Sequence, residues 1–268
     1  MYFNDEYFTS VIDGLKKLDE VDAVALGGSR STGEFDAKSD YDVYVYCSAE
    51  LSLKKKGEVL KPFCSVTEIG NRYWELEDNC VLNNGVSIDV IYRSFEMITG
   101  YLKYVVDENT AFNGYTTCFL HNIINSKVLF DKSGKFTELQ KKYSAEYPEK
   151  LRQNIITKNR KLLSGVLPSY DMQIKKAAQR NDLVSVHHRI TEFLASYFDI
   201  IFALNRLTHP GEKRLVSLCK KYCSILPENF EENINALLDS VTKGNSYDIV
   251  CDMVAEIDKI IQQDKAKV

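Results

Sequence analysis

The chain is short of several things, and each shortage excludes a class of protein. It has no run approaching the ~20 apolar residues that a membrane-spanning helix needs. Its opening decapeptide, MYFNDEYFTS, has neither the basic start nor the apolar stretch of a secretory leader. Basic residues are outnumbered, 34 Lys and Arg against 38 Asp and Glu, for a net charge of −4. That balance offers no broad electrostatic footprint for a polynucleotide, although a local basic groove is still allowed. There is no C-x-x-C motif. The seven cysteines (Cys47, Cys64, Cys80, Cys118, Cys219, Cys223 and Cys251) are odd in number and scattered, which argues against a disulfide framework. Cys219 and Cys223 stand one helical turn apart, but no second pair lies close by to complete a zinc site, so buried packing is the better reading. No low-complexity linker and no internal repeat interrupts the chain. The expectation is a reduced, cytoplasmic protein.

What is present is ordinary globular composition: 268 residues, 44% hydrophobic and 27% charged, enough for one large domain or two small ones. The two halves differ. In residues 1–130 helix and strand alternate. Phe8, Val11, Ile12, Leu15 and Leu18 recur at helical spacing and predict an amphipathic helix over 5–19. VDAVALGG reads as a buried strand running into a tight turn. A short helix is expected over Ser29–Glu34, and YDVYVYC (41–47) is a strand rich in β-branched and aromatic residues. Residues 50–61 read as a solvated helix or loop, with strands near 63–69, 72–77 and 86–92, helices over 94–125 and a last strand at 125–131.

Beyond DKSGK, where a domain boundary near 131–135 is expected, the pattern is almost entirely helical. Helices are predicted near 135–163, 169–179, 182–206, 212–223, 229–243 and 246–264. The 182–206 segment is apolar on most faces, which suits the centre of a bundle. The division is thus 1–132 and 133–268, an α+β domain followed by an α-helical bundle.

The chemistry concentrates in LGGSRSTGEFDAKSDYDVYVY, residues 26–46. Glycines let backbone approach a ligand closely, and a helix that starts there offers unpaired N–H groups to phosphate. The hydroxyl of Ser29 can add a hydrogen bond and Arg30 a charge. Taken alone, most such turns are only turns. Asp40 and Asp42 are two apart at a strand start, so both carboxylates point to one face. Like charges that close repel, and aspartate is a poor strand former, so the pair is unfavourable unless a cation sits there. The plainer reading is a strand cap with both acids in water. Asp89 lies inside the apolar run VSIDVIY, where a carboxylate needs a partner or a metal unless it faces solvent.

In order and spacing these pieces resemble the DNA polymerase beta-like nucleotidyltransferase superfamily, whose pattern is hG[GS], a gap of about ten residues, D-x-D and a later third carboxylate. Gly27 or Gly28, Ser29, Asp40, Asp42 and Asp89 meet it, over roughly 20–95. GGSRSTGEFDAKSDYD is similar to the small bacterial branch that includes aminoglycoside and lincosamide nucleotidyltransferases, which share an N-terminal catalytic domain, a mixed sheet flanked by helices, and a C-terminal helical bundle. The resemblance implies Mg²⁺-dependent transfer of a nucleoside monophosphate from ATP or another nucleoside triphosphate to an acceptor hydroxyl, with release of pyrophosphate. It implies two Mg²⁺ ions held by Asp40, Asp42 and Asp89, with Asp89 as metal ligand, general base or both, and phosphates cradled at Gly28 and Ser29. It implies a small hydroxylated acceptor, with antibiotics among the candidates; it does not carry the substrate over.

The second half offers further candidates. Lys213 and Arg214, in HPGEKR, can reach a triphosphate, or form a basic helix start on the surface. Glu192 can bind a cationic acceptor or face solvent. His187 and His188 are adjacent and point to different helix faces, which disfavours a metal site. Trp74 and the tyrosines read mostly as core. The rival readings are an enzyme that nucleotidylates a protein hydroxyl, against which the large helical half speaks, and a non-catalytic nucleotide-binding module, against which the intact acids speak. A polynucleotide-adding enzyme is disfavoured by the charge balance.

Overall fold

A computed structural model of the chain describes residues 5–33, 35–36 and 39–266. The chain forms two compact units, one of residues 1–103 and 122–145, the other of residues 104–121 and 146–268.

The first unit begins with α1 (Glu6–Leu15), whose N-terminus is capped by the Asp5 carboxylate accepting from the N–H groups of Tyr7 and Phe8. Its apolar stripe of Phe8, Val11, Ile12 and Leu15 is buried. There follow β1 (Val21–Leu26), the one-turn α2 (Gly28–Thr32), β2 (Tyr41–Cys47), α3 (Leu53–Leu60), β3 (Cys64–Asn71), β4 (Leu76–Leu82) and β5 (Ser87–Arg93). Then comes α4 (Phe95–Leu102), in the same unit. A π-helical turn (Lys103–Asp107) and α5 (Cys118–Asn125) fall mostly and partly, respectively, in the second unit's 104–121 segment, and β6 (Lys127–Asp131) and α6 (Lys135–Tyr143) belong to the first.

The six strands make one mixed sheet in the order β3-β4-β5-β2-β1-β6. Among the described residues only β2 and β5 run parallel; the other neighbours are antiparallel. Side chains alternate between the two faces. Tyr41, Val43 and Val45 of β2 join Ile88, Val90 and Tyr92 of β5 in a core closed by α1 and by Val59 and Leu60 of α3. That face also buries an ion pair, Lys56 to Asp78 at 3.1 Å, with Gly70 N–H and Tyr92 hydroxyl donating to the same carboxylate. The opposite face carries Asp42, Tyr44 and Tyr46 on β2 and Asp89, Ile91 and Arg93 on β5. There Tyr46 packs against Phe95 of α4 and Phe136 of α6.

The second unit is helical: α7 (Glu149–Leu163), α8 (Tyr170–Gln179), α9 (Leu183–Leu204), α10 (Leu215–Tyr222), α11 (Phe230–Asp239) and α12 (Ser246–Lys265). As its composition predicts, α9 is the central helix, buried from Ala195 through Leu204 and packed on α7 and α8. Buried Asp199 takes hydrogen bonds from the N–H and hydroxyl of Thr116 and from Asn159, whose carbonyl oxygen in turn accepts from Gly114 N–H. Among the described residues no helix is long and apolar enough to cross a membrane.

Four expectations need correction. The helix expected over 135–163 is two helices, parted at 144–148, because Pro148 offers no N–H to continue a helix and restricts its predecessor. The strand expected at 72–77 lies at 76–82, and the expected run of helices over 94–125 is interrupted by a non-helical stretch at 108–117. The short helix expected over 29–34 spans 28–32 and ends at Gly33, whose φ of 83° is the left-handed conformation that stops helices; Glu34 lies outside the described residues.

Candidate active site

The site forms where β1 and β2 are joined. β1 ends at Leu26, and its partner in register is Val43, so the Gly27-Gly28 turn comes to lie beside Asp42. Gly27 N–H donates to the Asp42 carbonyl oxygen at 2.8 Å. Both glycines are required by contact. A Cβ on Gly27 would lie 2.4 Å from the Tyr44 ring, and one on Gly28, whose φ is +60°, would lie 1.8 Å from Oδ2 of Asp42. Half-buried Ser29 follows in α2.

Asp42 of β2 pairs with Asp89 of β5 across the single parallel ladder, and Asp40 stands one residue before β2 on the same side of the chain. One carboxylate oxygen from each of Asp40, Asp42 and Asp89 lies within 4.8 Å of the others, and all three residues are half-buried. The donor set is all oxygen, as hard cations prefer. Two ligands opposite each other across a Mg²⁺ stand ~4.2 Å apart, so little closure is needed for this triad to hold the ion. The acids that sequence spacing singled out are therefore brought together.

Arg30 was expected to offer its charge to phosphate. Its guanidinium donates to the carbonyl oxygens of Ser39 (2.6 Å) and Asp40 (3.0 Å) and lies over the rings of Tyr41 and Phe35. It ties α2 to the segment bearing the first acid. Tyr41 is itself held, its hydroxyl donating to Asp5 at 3.1 Å, and burial beside that carboxylate pushes its pKa up to about 12.

A layer below the triad went unseen in the sequence. Arg93, buried on β5, forms a two-point ion pair with Glu75 at 2.6 and 2.8 Å and lies over the Tyr44 ring. The Tyr44 hydroxyl accepts from Asn122 of α5 at 2.8 Å, and burial raises its pKa. This brace fixes the ring against which Gly27 packs. On β4, Asn79 stands opposite Asp89 and donates to its Oδ1 at 2.9 Å. Glu77 is near them; partial burial, with the negative charges of Asp89 and Glu75, raises its carboxyl pKa. The E-x-N spacing of β4 was the available signal, but which strand lies beside Asp89 is decided by sheet order, not by local sequence.

In the second unit, Lys213 is exposed in the segment before α10. Glu192 is exposed on α9, hydrogen-bonded with Tyr170. His187 and His188 are exposed on the same helix.

Residues 9–110 match the nucleotidyltransferase domain family, and residues 115–215 match a domain family of unknown function, DUF4037. No curated protein matches the sequence. Among solved structures, the chain is similar to a nucleotidyltransferase-like protein from Exiguobacterium sibiricum 255-15, with 10% identity, TM-score 0.45, and coverage of 96% of this chain and 74% of that one. It is similar also to an aminoglycoside 6-adenyltransferase from Bacillus subtilis, with 11% identity, TM-score 0.33, and coverage of 98% and 92%. The Thermotoga maritima CCA-adding enzyme, complexed with tRNA, gives 12% identity, TM-score 0.27, and coverage of 98% and 83%. Over residues 9–110, then, the chain carries a nucleotidyltransferase domain.

Proposed function

We propose that this chain is a nucleotidyltransferase that moves a nucleoside monophosphate from ATP, or another nucleoside triphosphate, to a hydroxyl of a small molecule and releases pyrophosphate. The observation that carries the reading is the packing of the Asp42 carboxylate directly on Gly28, which sets a phosphate-cradling turn against a cation-binding acid. Phosphoryl-type transfer asks little covalent chemistry of the protein, only positioning and neutralisation of charge. Asp40, Asp42 and Asp89 would hold Mg²⁺, two ions in all. Bound there, the metal neutralises charge on the triphosphate and lowers the acceptor's pKa.

The remaining roles fall to the chain itself. The backbone at Gly28 and the Ser29 hydroxyl take the outer phosphates, while Arg30 keeps Asp40 in place through its carbonyl oxygen. As the acceptor oxygen bonds to the α-phosphorus, the bond from that phosphorus to the bridging oxygen breaks and pyrophosphate leaves, while the hydroxyl proton passes to Asp89 or, where Asp89 serves only as ligand, to solvent. In the second unit, Lys213 is the candidate for a further phosphate-binding cation and Glu192 for an acid that favours a cationic acceptor, such as an aminoglycoside-like antibiotic.

The test is a screen of hydroxylated acceptors with ATP and GTP, read by pyrophosphate release and by the mass of the product. An acceptor that gains one nucleoside monophosphate supports the reading. Triphosphate binding without transfer to any small molecule, but with labelling of protein, would replace it.

A further inference from the structure

We propose that Asn79 is a positioning residue that sets the orientation of the Asp89 carboxylate toward Asp40 and Asp42; this rests on the reading of Asp89 as a metal ligand.

The argument begins with what an amide can donate and accept. A carboxylate only accepts hydrogen bonds, so the Asn79 group 2.9 Å from Asp89 Oδ1 must be its NH₂. That leaves the Asn79 carbonyl oxygen pointing the other way, and there it accepts from the Asn71 amide at 2.7 Å. The Asn71 amide also approaches Glu68 Oε2 at 3.4 Å. Glu77, two residues before Asn79 on the same face, accepts a hydrogen bond from Asn79 as well. The Asn79 side chain therefore has one rotational state that satisfies every partner, and the partners span β3, β4 and β5.

The consequence falls on Asp89. A carboxylate turns about its last bond with little resistance, because that torsion is broad. Anchoring Oδ1 on Asn79 fixes the plane of the group, so that an oxygen can be presented within 4.8 Å of Asp40 and Asp42. The amide also stands between two acids, Asp89 and Glu77, and donates a hydrogen bond to each. Groups hydrogen-bonded to metal ligands commonly change metal affinity by 10–100-fold when removed.

The test is Mn²⁺ binding to the full chain without nucleotide, read from the free-ion paramagnetic resonance signal, alongside thermal melting. Four variants are compared with wild type: Asn79→Leu, which keeps the shape and loses the donor; Asn79→Gln, which keeps the amide; Asn71→Leu; and Asp89→Asn. The expected result is roughly 10-fold weaker Mn²⁺ binding for Asn79→Leu, partial recovery in Asn79→Gln, a smaller loss for Asn71→Leu, and the largest for Asp89→Asn. If Asn79→Leu fails to fold, Asn71→Leu against Asp89→Asn decides in the same way. Wild-type Mn²⁺ affinity in Asn79→Leu or a folded Asn71→Leu, with weakened binding in Asp89→Asn, overturns the role of Asn79 and leaves Asp89 a ligand. Unchanged binding in Asp89→Asn overturns the metal reading itself.

Discussion

Oδ2 of Asp42 occupies the place where any side chain on Gly28 would begin: a Cβ built there lies 1.8 Å from that oxygen. The turn and the acid are thus one steric unit. Gly28→Ala should push the carboxylate out of the triad and force a residue with a side chain to φ +60°. Activity should fall about 100-fold, since displacements near 1 Å can cost that much, and stability by about 1–3 kcal/mol. Steady-state kinetics and a denaturant titration measure the two separately.

Arg30 distinguishes holding the acids from holding the nucleotide. Its donors go to the carbonyl oxygens of Ser39 and Asp40. Arg30→Ala should therefore lower kcat about 10- to 100-fold and raise the Mg²⁺ needed for half-maximal rate, with a small change in KM for the triphosphate. A rise in KM alone would make the guanidinium a phosphate ligand.

The buried pair of Lys56 and Asp78 lies on the sheet face away from the triad. Lys56→Ala leaves the Asp78 charge with only two neutral donors, from Gly70 and Tyr92. The expected cost is about 3–5 kcal/mol of stability, as for other broken buried pairs, with the specific activity of the folded fraction retained. Melting and activity measured at low temperature check both halves of that statement.

The second unit contains two buried groups whose titrations oppose each other. Burial raises Asp199 to about 7 from its ordinary 3.8, against the hydrogen bonds from Thr116 and Asn159 that lower it. Between those values the folded state holds the proton more tightly, so this group makes stability fall as pH rises from about 4 to 7. Burial, with nearby His121, lowers His209 to about 3 from 6.5, so the unfolded state holds that proton more tightly and stability falls as pH drops through 6.5 toward 3. Over about pH 4–6.5 the two largely offset. Relative to wild type, Asp199→Asn should lose stability progressively on acidification, and His209→Gln should lose it progressively as pH is raised toward 7. Melting temperatures between pH 4 and 8 report both slopes.

Much of this was legible in the chain. Helical spacing placed α1 and α9, and the strand-turn-strand order of LGGSRSTGEFDAKSDYDVYVY placed the turn beside the acids. The convergence of Asp89 on Asp42 was foreseeable only through resemblance, because it depends on β5 crossing to lie parallel to β2. What escaped reading was whatever depends on sheet order: Asn79 meets Asp89, and Arg93 meets Glu75 and Tyr44, across strands that local periodicity cannot order. The tie of Arg30 to residues 39–40 escaped for another reason. A guanidinium beside a glycine turn suits phosphate and carbonyl oxygen equally, and the carbonyl oxygens it meets are visible only in the path of residues 39–40. The break at Pro148 was readable but outweighed by apolar periodicity on both sides.

In the proposed function, Asp42, set between the glycine turn and the other acids, makes nucleotide transfer depend on a divalent metal. The most direct measurement is pyrophosphate release with a competent acceptor, titrated with Mg²⁺, in wild type and Asp42→Asn. The account predicts release that requires the divalent ion and falls at least ~100-fold in the variant although it folds. Transfer that proceeds unchanged in Asp42→Asn, or without any divalent ion, would contradict it.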